Sequence, residues 1–420
     1  MQMVVTLLLM LVIYSSLNVY LGSRLLFYFR LSFSPFSQGL FWLALFFLAF
    51  SYIFGMLLPG SLLGKACRYM GSYWMVMFLY LLLGFILMDG LRLLGRLPFL
   101  ASLAGSLPAF TLLLVGTLVV CGSLAMVSYG AYHARQIGLV QYPAESVKSG
   151  PPGELRIALV SDLHLGSAVD SAWLSRIVAK INEARPDVVC IAGDIFDNNL
   201  DSLKDVEGII AAFRQIEAPY GTYACLGNHD VEGISFRDRQ SDPAEEVSIV
   251  EDDGSSGNDR SAADQLSSNE PKFSKISQIL EAGGITLLLD EMVLVEDMFY
   301  IAGRKDASPI GLFNHSRLTV DELTAARDKS LPLILLDHQP GDIPAAVDGG
   351  VDLLLSGHTH RGQVFPGNLV TQRLFLVDYG HKKLENTNVV VSSGAGVWGP
   401  PIRVGTNSEV AVIDLKWYTE

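Results

Sequence analysis

Five short strings hold most of the side chains in this chain that could bind a metal or move a proton: Asp162-Leu163-His164, Gly193-Asp194, Gly227-Asn228-His229-Asp230, the lone His338 and Gly357-His358-Thr359-His360. Together they offer carboxylate oxygens, one amide oxygen and imidazole nitrogens. That donor set suits Mn, Fe or Zn in a two-metal hydrolytic site. The chain has eight histidines and five of them fall in these strings. Each string alone is common; their order and shared context carry the reading.

The roles divide by chemistry. A carboxylate shared by two cations holds them about 3.5–4 Å apart, and Asp194 is the best candidate for that bridge. Asp162, His164 and His360 would then complete one site, and Asn228, His338 and His358 the other. An amide oxygen from Asn228 binds a cation without adding a negative charge that would repel a phosphate. His229 is left without a metal and would act as the general acid toward a departing alkoxide. Asp230 would orient that imidazole, with a plain turn or capping role as the alternative.

The elements around these strings follow a repeat. Largely apolar runs at 155–160, 188–192 and 222–226 each end in a motif, and helices are expected over about 172–184 and 202–216. Two more runs, 331–336 and 351–355, lead into His338 and His358. Motifs at the carboxyl ends of buried strands mark the edge of an α/β sheet where ligands bind. Further strands are expected at 285–289, 292–296, 298–303, 388–393 and 409–415, paired mostly as hairpins and meanders. Two packed sheets flanked by helices is the expected architecture.

The first third of the chain is of another kind. Of 43 acidic residues only Asp89 precedes Glu145. Charge-free stretches longer than the roughly 18 apolar residues of a spanning helix predict four membrane spans, at about 3–22, 38–59, 70–91 and 108–130. Asp89 is expected to pair with Arg92 on one helix face. Lysines and arginines are nearly balanced between the two ends of the spans, so the positive-inside rule assigns no side to the rest of the chain. The domain division is thus 1–131 transmembrane, 132–153 linker and 154–420 soluble, in a multi-pass cell-membrane protein. The four cysteines read as buried free thiols.

Charge excludes one class of function. A formal charge of −13, carried by the soluble part with no Lys/Arg stripe, argues against nucleic-acid binding. Between Asp238 and Glu270 ten acidic residues meet two basic ones and no aromatic. Such a stretch cannot bury enough apolar surface to order itself, and 235–270 reads as a disordered acidic insertion.

The run Asp-x-His, Gly-Asp, Gly-Asn-His-Asp, His, Gly-His-x-His resembles the calcineurin-like metallophosphoesterase superfamily over about 155–415. Ser161 through Gly166, Leu226 through Asp230, Ser356 through Gln363 and Gly394 through Arg403 are similar to its membrane-associated branch of YkuE-like and transmembrane phosphoesterases. The resemblance implies a four-layer α/β/β/α sandwich, here behind a four-helix transmembrane sector. It also implies two metal ions and phosphoester hydrolysis, of a phosphodiester or pyrophosphate, by in-line attack of metal-bound hydroxide. Asp162, His164, Asp194, Asn228, His338, His358 and His360 carry over as ligands, and His229 as acid. Two departures stand out. Arg361 occupies a position where relatives often have Gly, as a phosphate clamp or a surface residue, and the acidic insertion follows Asp230. An anchored domain suggests a lipid-linked or membrane-proximal phosphoester as substrate. The alternative is an inactive scaffold or binding protein that keeps the fold without turnover.

Overall fold

The apolar runs become strands with both faces covered, and the alternation within each shows why. In a computed structural model, which describes residues 2–29, 34–58, 61–95, 109–149, 153–198, 200, 203–231, 272–308 and 317–418, strand β2 (Glu154–Val160) sends Leu155, Ile157 and Leu159 into one buried cluster and Ala158 and Val160 into another. Strand β3 (Val188–Ala192) divides its side chains the same way. Successive side chains point to opposite faces of a sheet. A strand buried on both therefore reads as an unbroken apolar run. Truncating one such residue, Ile157 for example, would cost on the order of 2–5 kcal/mol.

The chain divides into two compact units, Ala134–Trp398 with Gly405–Glu420, and Met1–His133 with Gly399–Val404. The described residues of the first of these form two six-stranded sheets. One has the order β1-β12-β2-β3-β4-β5, where β1 is Ile137–Ser149, β4 Thr222–Cys225, β5 Ile285–Leu287 and β12 Ser408–Tyr418. The other has the order β10-β11-β9-β8-β7-β6, where β6 is Glu291–Val295, β7 Phe299–Gly303, β8 Leu333–Leu336, β9 Leu353–Ser356, β10 Gly380–Leu384 and β11 Thr387–Val391. Leu159, Cys190, Ile301, Leu336, Leu355 and Val390 belong to one core between the sheets.

Helices cover the two outer faces. Helix α5 (Ser171–Ala184) starts where Asp170 accepts from the Trp173 amide at 2.9 Å and buries Trp173, Leu174, Ile177, Val178 and Ile181. With α6 (Val206–Phe213) and a helix over 272–282 it packs on the first sheet. Short helices at Val320–Thr324 and Ile343–Asp348 pack on the second. This is the four-layer α/β/β/α sandwich.

Several expectations are corrected. The stretch 132–153 is no linker: most of it is β1, paired in parallel with β12 from Ile137↔Ser408 to Ala144↔Leu415 and beyond. Its two fully buried positions are small or polar, Ala144 and Ser146, while Ile137, Leu139 and Tyr142 are only partly buried, and Pro143 fits only because β1 is an edge strand. The later strands are mixed rather than mostly hairpins: β6–β7 and β10–β11 are antiparallel neighbours, but β5 and β11 run parallel to β4 and β9. The helix expected over 202–216 is confined to Val206–Phe213, because Asp205 takes the Gly208 amide at 2.9 Å and sets the first turn there. The expected acidic insertion at 235–270 lies outside the described residues.

Among the described residues, the second unit contains four helices long and apolar enough to cross a membrane: Val5–Tyr28, Pro35–Met56, Leu62–Leu94 and Phe110–His133. The third begins before its charge-free stretch and takes in Lys65 and Arg68. Asp89 does not pair with Arg92. It lies 2.7 Å from Arg24 Nε and accepts from Tyr20 Oη at 2.8 Å, both on the first helix, while the Arg92 guanidinium sits 4.7 Å over the Phe27 ring. A partner on another helix outweighed the neighbour three residues on. Cys67, Cys190 and Cys225 are buried free thiols, but Cys121 is exposed.

Candidate metal centre

Five strand ends meet at one place. Asp162 and His164 follow β2, Asp194 follows β3, Asn228 opens the helical turn after β4 (α7, Asn228–Val231), His338 follows β8, and His358 and His360 follow β9. Five of these residues adopt the left-handed backbone that non-glycine residues avoid: Asp162, His164, Asp194, His358 and His360, with φ between 47° and 72°. Such strain concentrates where structure is fixed for a site. Two glycines allow the approach. A Cβ on Gly193 (φ 75°) would lie 2.6 Å from His338 Nδ1, and one on Gly357 2.3 Å from Asp162 Oδ2.

The side chains fall into two groups. In the first, Asp162, His164 and His360 offer ligand atoms all within 4.8 Å of one another, with the two Nε2 atoms 3.1 Å apart and His360 Nε2 3.4 Å from Asp162 Oδ1. In the second, Asp194, His338 and His358 do the same. There Asn228 Oδ1 lies 2.9 Å from His358 Nδ1 and 3.2 Å from His338 Nε2. Asp194 Oδ2 faces both groups, at 3.7 Å from His164 Nε2 and 3.2 Å from His338 Nε2. Its other oxygen accepts the His229 amide at 2.8 Å, which fixes which oxygen turns inward.

These residues fit a pair of cations. His338 Nδ1 donates to the Ala192 carbonyl at 2.8 Å, a tautomer assigned from that bond, so Nε2 presents its lone pair to two oxygens that also only accept. Acceptors converging on one point need a proton or a metal between them. Burial lowers the proton affinity of His338, yet the Asp194 carboxylate overrides it and holds the imidazole well above its usual range. Burial would raise the Asp194 carboxyl, but His338 and His164 pull it far below the carboxylate range. His358 is lowered by burial and by His338. The cluster is short of positive charge, which bound metal would supply.

The proton-transfer residues are arranged differently from expectation. Asp230 does not orient His229. Its carboxylate is fully buried and accepts three backbone amides, Ile195 at 3.1 Å, Phe196 at 2.7 Å and Gly227 at 2.9 Å, tying the β3 loop to the β4 loop. Burial, reinforced by Asp194, pushes its carboxyl up to about 7, against the pull of those amides. The partner of His229 Nδ1 is Asn198 Oδ1 at 2.6 Å. Behind His164, Asp197 Oδ1 stands 3.3 Å from Nδ1. Sequence reasoning passed over both Asp197 and Asn198, although they follow Asp194 in the same loop. Arg361 has φ 49°, a conformation suited to glycine, and its guanidinium lies 4.3 Å over the Tyr379 ring.

Comparison with known proteins agrees with this geometry. Residues 155–362 match the family model of the calcineurin-like phosphoesterases. An uncharacterized metallophosphoesterase of Helicobacter pylori is 31% identical over 272 residues, covering 62% of this chain and 60% of that protein. A Danio rerio transmembrane protein with metallophosphoesterase domain is 29% identical over 312 residues, covering 71% of this chain and 62% of its own length. The uncharacterized metallophosphoesterase YkuE of Bacillus subtilis is 25% identical over 339 residues, covering 78% and 99%. The chain thus spans about 60% of the length of the Helicobacter relative. Over residues 155–362, with its ligand groups at five strand ends, this chain carries a calcineurin-like phosphoesterase domain.

Proposed function

We propose that the protein is a multi-pass, membrane-anchored dinuclear-metal phosphoesterase acting on a phosphodiester or pyrophosphate that is lipid-linked or held near the bilayer. The observation that carries this reading is the single oxygen, Asp194 Oδ2, turned toward both ligand groups. Bound there, two cations of the Mn, Fe or Zn kind would supply Lewis acidity toward a phosphoryl oxygen and bring a water within reach of deprotonation at neutral pH.

The chain's own residues do the rest. Ala192 O holds His338 in the tautomer that leaves Nε2 a ligand. Asn228 contributes a neutral oxygen between His338 and His358. Asn198 Oδ1 accepts from His229 Nδ1, so the proton destined for the leaving oxygen is carried on Nε2. Arg361, whose guanidinium has no ion-pair partner among the described residues and follows a ligand directly, serves to orient the substrate phosphate.

The test is the metal content of the purified full-length protein, wild type beside Asp194→Asn, with hydrolysis of a soluble phosphodiester measured in parallel. About two transition-metal ions per chain, lost or halved in the variant together with turnover, is the expected result. A wild type that stays metal-free after reconstitution with Mn, Fe and Zn would leave the inactive-scaffold alternative standing.

A further inference from the structure

An ordinary surface helix turns its apolar stripe to the core and its polar side to water. Helix α11 (Gly367–Leu374), in the loop that leaves the second metal-ligand turn, is built the other way round. It has no buried residue. Thr371 faces the protein, donating to Asp378 Oδ2 at 2.9 Å. At 100° per residue, Leu369, Arg373, Val370 and Leu374 share one arc of about 140° that leaves Thr371 outside it, and the three apolar ones are 42%, 56% and 71% exposed. Phe365, Leu376 and Trp398 extend the patch at 44%, 58% and 54% exposure.

The patch borders the metal centre on two sides. The Phe375 ring, between Leu374 and Leu376, lies 6.0 Å from the His358 ring, and Trp398 lies 6.2 Å from His229. Gln363 fixes Trp398 there, bonding to its backbone N and O at 2.8 Å each. Large exposed apolar side chains concentrated in one short segment mark an interaction site.

Three observations say what covers it. The same chain carries, among its described residues, four helices long and apolar enough to cross a membrane. In a chain of formal charge −13, residues 364–377 contain no carboxylate and one arginine. An apolar face holding a basic residue, with a tryptophan at its rim, is the composition of a segment lying in the lipid–water interface.

We propose that α11, with Phe365, Leu376 and Trp398, is the surface by which the phosphoesterase domain seats on the lipid–water interface, with its metal centre opening beside the headgroups. The proposal deepens the functional reading above, and its turnover arm rests on that reading. Its contact arm does not.

The contact arm uses the full chain in nanodiscs of phosphatidylcholine and phosphatidylglycerol, with Cys67 and Cys121 replaced by Ala and a nitroxide placed at Val370→Cys, Leu374→Cys or, as control on β6, Leu294→Cys. Labels at 370 and 374 are expected to be open to oxygen and shielded from an aqueous nickel chelate, and the label at 294 open to nickel. Nickel access at 370 and 374 equal to that at 294 would overturn the proposal. So would shielding from both reagents, which means a protein surface covers the patch.

The turnover arm compares hexadecyl p-nitrophenyl phosphate in the nanodisc with bis(p-nitrophenyl) phosphate in solution. The triple variant Leu369→Ser, Val370→Ser, Leu374→Ser should raise KM for the first about tenfold with kcat retained, and leave the second unchanged. Oxygen-accessible labels in a protein that hydrolyses neither ester would support docking and sink the hydrolase reading. Turnover of the soluble ester with nickel-open labels would do the reverse.

Discussion

At the scale of single residues, His229 and Asp230 are neighbours in sequence with separate tasks. His229 reaches Asn198 and stands over the His164 ring at 4.9 Å, beside the ligands. Asp230 faces inward and closes three amides. His229→Ala should therefore slow phosphodiesters of poorly leaving alcohols by about 10²–10³-fold, the usual worth of a general acid, and p-nitrophenyl esters much less. Equal losses on both would count against the acid role. Asp230→Ala should behave in the opposite way. It orphans three buried amides at a cost on the order of 3 kcal/mol or more, read as a lower melting temperature, with activity lost in equal proportion on both esters. A leaving-group-dependent loss at unchanged melting temperature would return Asp230 to the orienting role. The seven ligand candidates were legible because each closes an apolar run in a recognisable string. Asp197 and Asn198 were not, since an Asp-Asn pair in a loop carries no signal until the fold brings it to His164 and His229.

At the scale of elements, legibility followed burial. Strands β2, β3, β8, β9 and β11 send apolar side chains into the cores on both faces, so their sequences are mostly apolar and their type is plain, with Arg156 in β2 and Thr387 and Asn388 in β11 among the exceptions. Strand β1 fails that rule because its inward side chains are held by polar bonds: Ser146 Oγ donates to Asp352, and Lys148 Nζ lies 2.8 Å from the same carboxylate. Strand β10 fails because it is an outer strand whose Lys382 and Lys383 are exposed. Helix ends were set by single capping carboxylates. The start of α5 rests on Asp170, whose side chain takes one of the amides that a first turn leaves unpaired. Asp170→Ala should cost about 1 kcal/mol, seen as a lower melting temperature. Metal content should stay at the wild-type level, because α5 supports the sheet from the face away from the second sheet and supplies no ligand.

At the scale of the whole molecule, the boundary between the four apolar helices and the phosphoesterase-family domain decides what can fold alone. A linker over 132–153 would make a fragment starting at Gly153 complete. The pairing of β1 says otherwise. Ten residue pairs join β1 to β12 in parallel, Asn388 Nδ2 donates to Glu145 O at 2.9 Å, and Ser146 and Lys148 serve the buried Asp352. Removing β1 would strip β12 of its outer neighbour and expose a row of unpaired backbone groups in an eleven-residue strand, a template for pairing with another chain. It would also leave Asp352 without its cation, and a buried carboxylate deprived of its partner is strongly destabilising. A fragment of residues 134–420 should therefore retain the far-ultraviolet dichroism of the mixed sheets, a cooperative thermal transition and about two bound metals. A fragment of residues 153–420 should aggregate or melt without cooperativity. Were the shorter fragment as stable and as metal-replete as the longer one, β1 would be an accessory strand, and the domain would begin where the apolar run of β2 first announces it.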